Sequence, residues 1–367
     1  MSTALAIAAG GGGDAITAAM LAAAIPDLGV AAIMSYSWDR FMIDPTPGPR
    51  TRDAFSGLID RGGVAEIPPT AALRRGSSTL PPLAGCLEMP LLLLGTEAGA
   101  GGMSELMRCA ATEFGADELV VVDVGGDIIA RGDEATLRSP LADSLALAAA
   151  MRSGMPTRVL IAGPGLDGEL SPAEVYARID QLDGHRICEL RSSDAAPFDG
   201  VWSWHPSEAT ALLAAAAHGW RGVVETQRDA LIEIGDGATW VYEVDAEALT
   251  RSSLAEPLMS TTSLDQAEQL LRDRRGGRSE LDIERRRAAG ERAEVRFPGG
   301  ESLRIIDRHV DAARSRGVDA ITVRRIAELV QAVDPYATQV LRALLSEHRP
   351  DCFRPPLYQV LSERFHG

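Results

Sequence analysis

The fold is indicated by a short apolar run that ends in four glycines and an acid, Leu5-Ala6-Ile7-Ala8-Ala9-Gly10-Gly11-Gly12-Gly13-Asp14. An apolar run of this length that stops at glycines is typical of a buried strand that enters a turn. Residues 15–24 have a helical composition, and a second apolar run occupies residues 30–34. This order predicts a β-α-β unit with two parallel strands.

The same order of strand, glycine-containing turn and helix recurs along the chain. Apolar runs at 91–94, 118–123 and 157–162 each end in such a turn. The recurrence predicts an α/β fold, a doubly wound and mostly parallel sheet of the Rossmann-like kind. Ligands of such sheets bind beyond the carboxyl ends of the strands. We therefore expect the strand-end loops to converge on one crevice, namely 10–14, 95–102, 123–127 and 163–168.

Three regions are expected along the chain. Residues 1–262 are predicted to form the Rossmann-like domain. Residues 263–300 are rich in charge and predict a charged helical linker with exposed helices. Residues 301–367 predict a C-terminal helical extension. The loop at 38–50 mixes prolines with Arg, Asp and aromatic residues, which suits a lid.

Composition excludes several classes of protein. The formal net charge of −16 argues against a nucleic-acid partner, which usually requires a basic face. The sequence contains no lysine, so neither a pyridoxal phosphate enzyme nor a Walker A kinase fits. The apolar N-terminus has no positive flank, and no run of about 18 apolar residues occurs. We therefore expect a cytoplasmic protein that does not enter the membrane.

The glycine turn is the first candidate ligand site. Glycines between a strand and a helix let backbone amides approach an anion, which the helix N-terminus also favours. The candidate ligand-binding residues are Gly10, Gly11, Gly12, Gly13 and Asp14. A carboxylate in such a cradle repels phosphate unless a metal or another polar group pairs with it. The alternatives are a tight structural turn and a helix-capping role for Asp14.

The second candidate site follows the run at 118–123, where Asp123 and Asp127 flank Gly125 and Gly126. Carboxylates at strand ends are the oxygen ligands that Mg²⁺ and Mn²⁺ prefer. Asp123 and Asp127 are therefore predicted to bind a metal and, with Arg131, to be catalytic. Gly125 and Gly126 let the chain bend and are predicted to contact the ligand. Arg131 is predicted to neutralise an anionic ligand. Solvated loop acids are the alternative.

Two further groups of residues are predicted to belong to the functional site. Gly95, Thr96 and Glu97 begin another glycine-rich strand-end loop, which is predicted to contact the ligand. His205 lies between Trp204 and Pro206 and is the best histidine for acid–base catalysis, the alternatives being a helix-start residue or a packed residue. No GxSxG or HExxH motif occurs, which argues against a serine hydrolase and a zinc peptidase of those kinds.

Three motifs in combination resemble one protein family. They are the opening segment 8–14, the loop 38–50 and the segment 123–143, which contains Asp-Val-Gly-Gly-Asp and Ser-Pro-Leu-Ala-Asp. Together they resemble the family catalogued as domain of unknown function 1152, over roughly residues 1–300. The resemblance implies an uncharacterised α/β protein and offers no catalytic residues to transfer.

The sequence favours an enzyme that acts on a small polar or anionic metabolite, phosphorylated or nucleotide-like ligands included, with help from Mg²⁺ or Mn²⁺. Asp14 or Glu97 would assist Asp123 and Asp127 at the metal. Lyase, cyclase, transferase and phosphohydrolase reactions all remain open, as does a homo-oligomeric state. A regulatory module that binds a metabolite or nucleotide without catalysis is the alternative. A Rossmann oxidoreductase fits less well, because Asp39 follows the second strand too late for a ribose-binding acid.

Overall fold

The computed structural model describes residues 2–290 and 294–360. Its strands, in chain order, are β1 (Ala4–Ala8), β2 (Val30–Ser35), β3 (Phe55–Ser56), β4 (Ile59–Arg61), β5 (Val64–Glu66), β6 (Ala72–Leu73), β7 (Leu91–Leu93), β8 (Glu118–Val124), β9 (Thr157–Ala162), β10 (His185–Glu189), β11 (Gly222–Glu225), β12 (Leu231–Ile234), β13 (Trp240–Val244), β14 (Ala320–Thr322), β15 (Phe353–Arg354) and β16 (Leu357–Gln359).

The α-helices alternate with these strands through much of the chain. They are α1 (Gly12–Ala24), α2 (Leu80–Ala84), α3 (Gly99–Phe114), α4 (Pro140–Arg152), α5 (Pro172–Gln181), α6 (Ser192–Ala195), α7 (Ala209–Ala217), α8 (Ala246–Arg251), α9 (Ala255–Leu258), α10 (Leu264–Arg274), α11 (Glu280–Ala288), α12 (Gly300–Ser315), α13 (Val323–Leu329) and α14 (Pro335–His348).

The main sheet has nine strands in the order β10-β13-β9-β8-β1-β2-β7-β5-β4. Its five central strands, from β9 to β7, are parallel, and the strands at both edges are antiparallel. The predicted α/β class with a mostly parallel sheet is confirmed. The chain leaves β1 toward β2 on one side and later returns to place β8 on the other side. The order therefore reverses between β1 and β8, which is where such sheets bind ligands.

Both faces of the sheet are covered, which explains the continuous apolar character of its central strands. Along β1, Ala4, Ala6 and Ala8 pack in one hydrophobic core with α1 and α7. Leu5 and Ile7 point the other way and pack in a second core with α3 and α4. This alternation fixes the register, since a one-residue slip would exchange the two faces.

A second sheet joins the C-terminal segment to the preceding chain. Its five strands have the order β12-β11-β14-β16-β15, and β14 lies parallel to β11. The C-terminal segment, which the sequence predicts to be helical, thus contains strands as well as helices. These strands are only two or three residues long, and periodicity does not reveal such short runs.

A buried carboxylate reinforces this junction. Glu225 at the end of β11 is fully buried and accepts hydrogen bonds from three residues of the C-terminal segment, namely His309, Arg316 and Arg325. A third hydrophobic cluster fills the C-terminal segment, and Met42 from the loop at 38–50 packs into it. The loop at 38–50 therefore contacts the C-terminal segment as well as the preceding domain.

The charged segment at 263–300 packs on the main domain, which the prediction of exposed linker helices did not anticipate. Ala267, Leu271 and Leu281 are buried in the second core. Glu268 is also buried and accepts hydrogen bonds from Arg272 and Arg285, so part of the charge is paired internally. Among the described residues, no helix combines the length and apolar character needed to cross a membrane.

Candidate functional site

The glycine turn brings two carboxylates together at the end of β1. The Gly10 N–H donates a hydrogen bond to Asp14 Oδ2 at 2.6 Å. A Cβ atom at Gly10 would lie 2.9 Å from Asp14 Oδ2 and 3.2 Å from Asp143 Oδ1. Gly11 has a φ of 109°, which favours glycine. The turn therefore holds carboxylates close to its own backbone, and the Gly10 amide is occupied by Asp14.

Three aspartates lie close enough together to share a metal ion. One oxygen from each of Asp14, Asp123 and Asp143 lies within 4.8 Å of the others. Asp14 lies in the first turn of α1, Asp123 near the end of β8, and Asp143 in the first turn of α4. All three are buried, with 5%, 1% and 3% of their surface exposed. We call Asp14, Asp123 and Asp143 the aspartate cluster.

The aspartate cluster is electrostatically unfavourable unless it gains positive charge. Burial, and next the charge of Asp123, raise the pKa of Asp14 well above its ordinary value. Burial and then Asp143 raise the pKa of Asp123, and burial and then Asp14 raise that of Asp143. Asp123 Oδ2 and Asp143 Oδ1 are buried and have no hydrogen-bond partner among the described residues. Such groups need protons or a cation, and hard divalent cations suit carboxylate oxygens.

Asp127 and Asp167 adjoin the aspartate cluster. Gly125 has a φ of 111°, and a Cβ atom there would lie 2.3 Å from the Asp167 Cγ. The Gly125 backbone can therefore pass directly beside the Asp167 carboxyl group. Burial and then Glu169 raise the pKa of Asp167 to about 7, and burial and then Asp143 raise that of Asp127. Asp127 is thus a neighbour of the closest acidic group rather than one of its three members.

Glu280 approaches the same region from α11. Its Oε1 accepts a hydrogen bond from the Leu141 N–H at 3.1 Å, at the start of α4. Its Oε2 is buried and has no partner among the described residues. Burial and then the charge of Glu284 raise the pKa of Glu280 well above its ordinary value. The segment predicted to be a linker therefore contributes a carboxylate beside Asp143.

His205 lies at the other end of the glycine turn, next to Thr79. A Cβ atom at Gly12 would lie 3.1 Å from Thr79 Oγ1 and 3.2 Å from His205 Nε2. The His205 Nδ1 accepts a hydrogen bond from the Ser207 N–H at 3.2 Å, so in the neutral ring the proton is on Nε2. This Nε2 is buried and has no partner among the described residues. Burial and then Arg342 lower the pKa of His205 to about 3.

His205 is therefore placed as a hydrogen-bond donor. A general base at neutral pH works best with a pKa near the working pH and needs a free lone pair. A ring whose Nδ1 already accepts a hydrogen bond and whose pKa is about 3 is poorly suited to the predicted acid–base role. Nearby, Asp39 accepts hydrogen bonds from the Thr79 N–H and hydroxyl, and its Oδ2 is buried without a partner among the described residues.

Other residues predicted for the site lie elsewhere or have different contacts. The Arg131 guanidinium donates to Gln181 on α5 and is exposed. Glu97 is exposed and folds back over Gly95, whose added Cβ would lie 2.7 Å from Glu97 Oε2. Thr96 precedes α3, and the first amides of this helix donate hydrogen bonds to the hydroxyl and the carbonyl of Thr261. In the described part of the chain, no hydrogen bond or ion pair joins these side chains to the aspartate cluster.

The structure also adds residues that the sequence did not single out, namely Asp143, Asp167 and Glu280. Asp143 ends the Ser-Pro-Leu-Ala-Asp motif, and Asp167 lies in the glycine-rich loop after β9. A search for carboxylates at every strand end and in every following helical turn would have found these two. No local signal marks Glu280, because it reaches the site from a distant helix.

The fold and these acids define an α/β protein with a buried group of carboxylates at the switch point of its sheet. The sequence family described as "Protein of unknown function (DUF1152)" matches residues 5–288. The chain belongs to this family, as the motifs around the glycine turn and Asp123 predicted. Comparison with curated proteins and with solved structures found no match.

Proposed function

We propose that this protein is an enzyme that acts on a small anionic metabolite with the help of Mg²⁺ or Mn²⁺ bound by the aspartate cluster. The observation that carries the proposal is the burial of Asp14, Asp123 and Asp143 with their oxygens within 4.8 Å of one another. Burying several carboxylates without a counter-charge is costly, so a stable protein retains such a group chiefly for function.

A divalent cation would act as a Lewis acid toward a substrate oxygen and would orient the substrate. The protein's own groups would hold the remainder of the ligand. The His205 Nε2–H is a preorganised donor beside Gly12, and the N-terminus of α1 favours an anion. Asp167, with a pKa of about 7, is suited to exchange a proton near neutral pH.

Lyase, cyclase, transferase and phosphohydrolase reactions are all compatible with this arrangement. A metabolite-binding regulatory module without catalysis is the alternative proposal, and it would use the same crevice. The cytoplasm as compartment and a small-molecule rather than a nucleic-acid ligand also stay predictions from composition.

Calorimetric titration with Mg²⁺ and Mn²⁺ at pH 7.5 tests the proposal. We expect binding to the wild-type protein, loss of binding in Asp143→Asn, and unchanged binding in Asp27→Asn, which removes one exposed carboxylate. Absence of metal binding by the wild-type protein, or equal effects of the two substitutions, would refute the metal site. Incubation with pooled nucleotides, sugar phosphates and organic acids, followed by NMR, then separates an enzyme from a regulatory module, because only an enzyme consumes a ligand.

A further inference from the structure

An arginine in an unusual backbone conformation lies in the turn between β11 and β12. Arg228 and Asp229 have φ values of 61° and 60°, in the left-handed region. This conformation is unfavourable for an L residue with a side chain. Contacts with α13 hold the turn, since the Arg228 N–H donates to Glu328 at 3.0 Å and the Asp229 carboxylate pairs with Arg325. The C-terminal segment therefore determines where Arg228 is presented.

A second arginine, Arg324, lies on α13 beside this turn. Its Nη1 is 3.6 Å from Glu208 Oε2, and the Gln227 N–H donates to the other oxygen of Glu208. Burial lowers the pKa of Arg324 to about 10, although Glu208 opposes this effect, and the charges of Arg40 and Arg228 lower it further. Glu208 therefore holds Arg324 close to the turn that carries Arg228.

Arg40 connects this region to the aspartate cluster. Its charge is close enough to lower the pKa of both Asp14 and Glu280, as well as that of Arg324. Two residues after Arg40, Met42 packs into the hydrophobic cluster of the C-terminal segment. Arg40 thus acts electrostatically both on the acids and on Arg324 of the C-terminal segment.

Arg287 and Arg138 approach from two further elements. The Trp38 indole N–H donates to Glu284 at 3.0 Å, which packs α11 against the loop at 38–50, and Arg287 follows Glu284 by one helical turn. Arg138 precedes α4, and its N–H donates to Glu169. Partial desolvation, then the charges of Arg138 and Arg287, lower the pKa of Arg228, so these two arginines act on Arg228 electrostatically.

These residues are named here the arginine group, namely Arg40, Arg138, Arg228, Arg287 and Arg324. In the described part of the chain, the guanidinium groups of the first four form no hydrogen bond or ion pair, and Arg324 has only the 3.6 Å contact with Glu208. Elsewhere, Arg158, Arg285 and Arg325 are paired with carboxylates. The charges of the arginine group are therefore largely uncompensated by carboxylates, and Arg40 acts on the buried acids Asp14 and Glu280.

We propose that the arginine group binds the phosphate groups of a ligand that carries at least a diphosphate, with the C-terminal segment completing the site through Arg324 and its hold on the Arg228 turn. Guanidinium groups bind phosphate oxygens through paired, charge-assisted hydrogen bonds. A single phosphate carries about two negative charges near pH 7, so five arginines fit a longer phosphate chain better. A divalent cation at the aspartate cluster would face the same phosphates, as Mg²⁺ commonly does.

That the phosphate ligand is a substrate rests on the proposed function, but the binding of phosphate groups by the arginine group can be tested by itself. Both Arg324 and the α13 contacts lie outside residues 5–288, the part matched by the family. The structure thus assigns part of a substrate site to a segment that the family match does not include.

Calorimetry with inorganic pyrophosphate in EDTA tests the proposal without a metal. We expect pyrophosphate to bind more tightly than inorganic phosphate, and Arg228→Gln and Arg40→Gln each to weaken binding by about tenfold or more, the loss of one charge-assisted contact. The matched control is Arg108→Gln, because Arg108 is an exposed arginine on α3 and its guanidinium likewise has no partner among the described residues. This control should bind pyrophosphate as the wild type does.

Failure of pyrophosphate to bind, or equal affinities for Arg228→Gln, Arg40→Gln and wild type, would overturn the proposal. An equal loss in Arg108→Gln would also overturn it, because net charge alone would then explain binding. Arg324→Lys keeps the charge but not the paired geometry, and we expect weaker binding with an unchanged melting temperature. Asp143→Asn separates the two proposals, because it should abolish Mg²⁺ binding yet retain pyrophosphate binding in EDTA. If the wild-type protein binds no metal, the metal site fails, but pyrophosphate binding in EDTA still supports the arginine group.

Discussion

The Gly10 amide donates a hydrogen bond to Asp14 Oδ2 at 2.6 Å, so the acid that follows the glycines folds back over the first of them. A side chain at position 10 would collide with Asp14 and with Asp143, at 2.9 and 3.2 Å. We therefore predict that Gly10→Ala weakens Mg²⁺ binding by about tenfold or more, because the carboxylates must separate. Gly200→Ala is the control, since nothing lies within 4 Å of a Cβ there. Unchanged calorimetric affinity in Gly10→Ala would contradict the proposed geometry.

The stability of the metal-free protein should depend on pH in an unusual direction. Burial and neighbouring carboxylates raise the pKa of Asp167 from 3.8 to about 7, and they also raise those of Asp14, Asp123 and Asp143. A raised folded-state pKa gives stability that is complete below about pH 4 and is lost as the pH rises through about 7. The contribution of Asp167 should therefore fall between about pH 4 and pH 7.

Thermal unfolding in EDTA at several pH values measures this effect. We expect the difference in melting temperature between wild type and Asp167→Asn to change across this range, with the variant gaining relative stability at pH 8. Mg²⁺ should raise the melting temperature of the wild type more at pH 8 than at pH 5, since metal and protons compete for the same oxygens. A wild-type profile parallel to that of the variant would be inconsistent with a raised pKa at Asp167.

Glu268 should stabilise the packing of α10 and α11. Its buried carboxylate accepts hydrogen bonds from Arg272, Arg285 and Ser279, which outweigh burial and lower its pKa to about 2. We predict that Glu268→Gln lowers the free energy of unfolding by about 2 kcal/mol at pH 7, the value of charged hydrogen bonds. Because the folded-state pKa is lowered, this stability is present above about pH 4.5 and is lost as the pH falls toward 2.

Urea denaturation of Glu268→Gln measures this contribution. Glu247→Gln is a suitable comparison, because Glu247 forms an exposed ion pair with Arg251. That pair should be worth less than about 1 kcal/mol. Equal losses in the two variants would show that the burial of Glu268 adds nothing to its ion pairs.

His205 should remain neutral throughout the physiological range. Burial and Arg342 lower its pKa to about 3, against 6.5 for an ordinary histidine. We predict that the NMR signals of its ring do not titrate between pH 5 and 8 and report the Nε2–H tautomer. Assignment through the loss of these signals in His205→Gln provides the control. A midpoint near pH 6.5 would instead restore His205 as a candidate general base.

The sequence predicted the elements that its local patterns specify strongly. The apolar runs of β1 and β8 are long enough, and end sharply enough at glycine, to indicate buried parallel strands. Asp123 was predicted as a site residue because it lies at the end of such a strand. The tertiary fold decides which acids meet, since Asp143 in the first turn of α4 joins Asp14 and Asp123 in the aspartate cluster. Glu280 could not be predicted, because its place follows from how α11 packs.

The C-terminal strands were missed for a related reason. Residues 320–322 form a strand because β11 and β16 flank them, although three residues contain no reliable periodicity. The family resemblance also stops before this segment, so no motif pointed to it.

The burial of Glu225 under His309, Arg316 and Arg325 has a practical consequence for experiments on this protein. A fragment cut at residue 288, where the family match ends, would keep Glu225 but lose all three of these hydrogen-bond partners. It would also uncover the backbone donors and acceptors of β11 that now pair with β14. Free strand edges recruit other chains, so such a fragment should aggregate during expression. Recombinant work on this protein therefore requires the C-terminal segment even when only the family region is of interest.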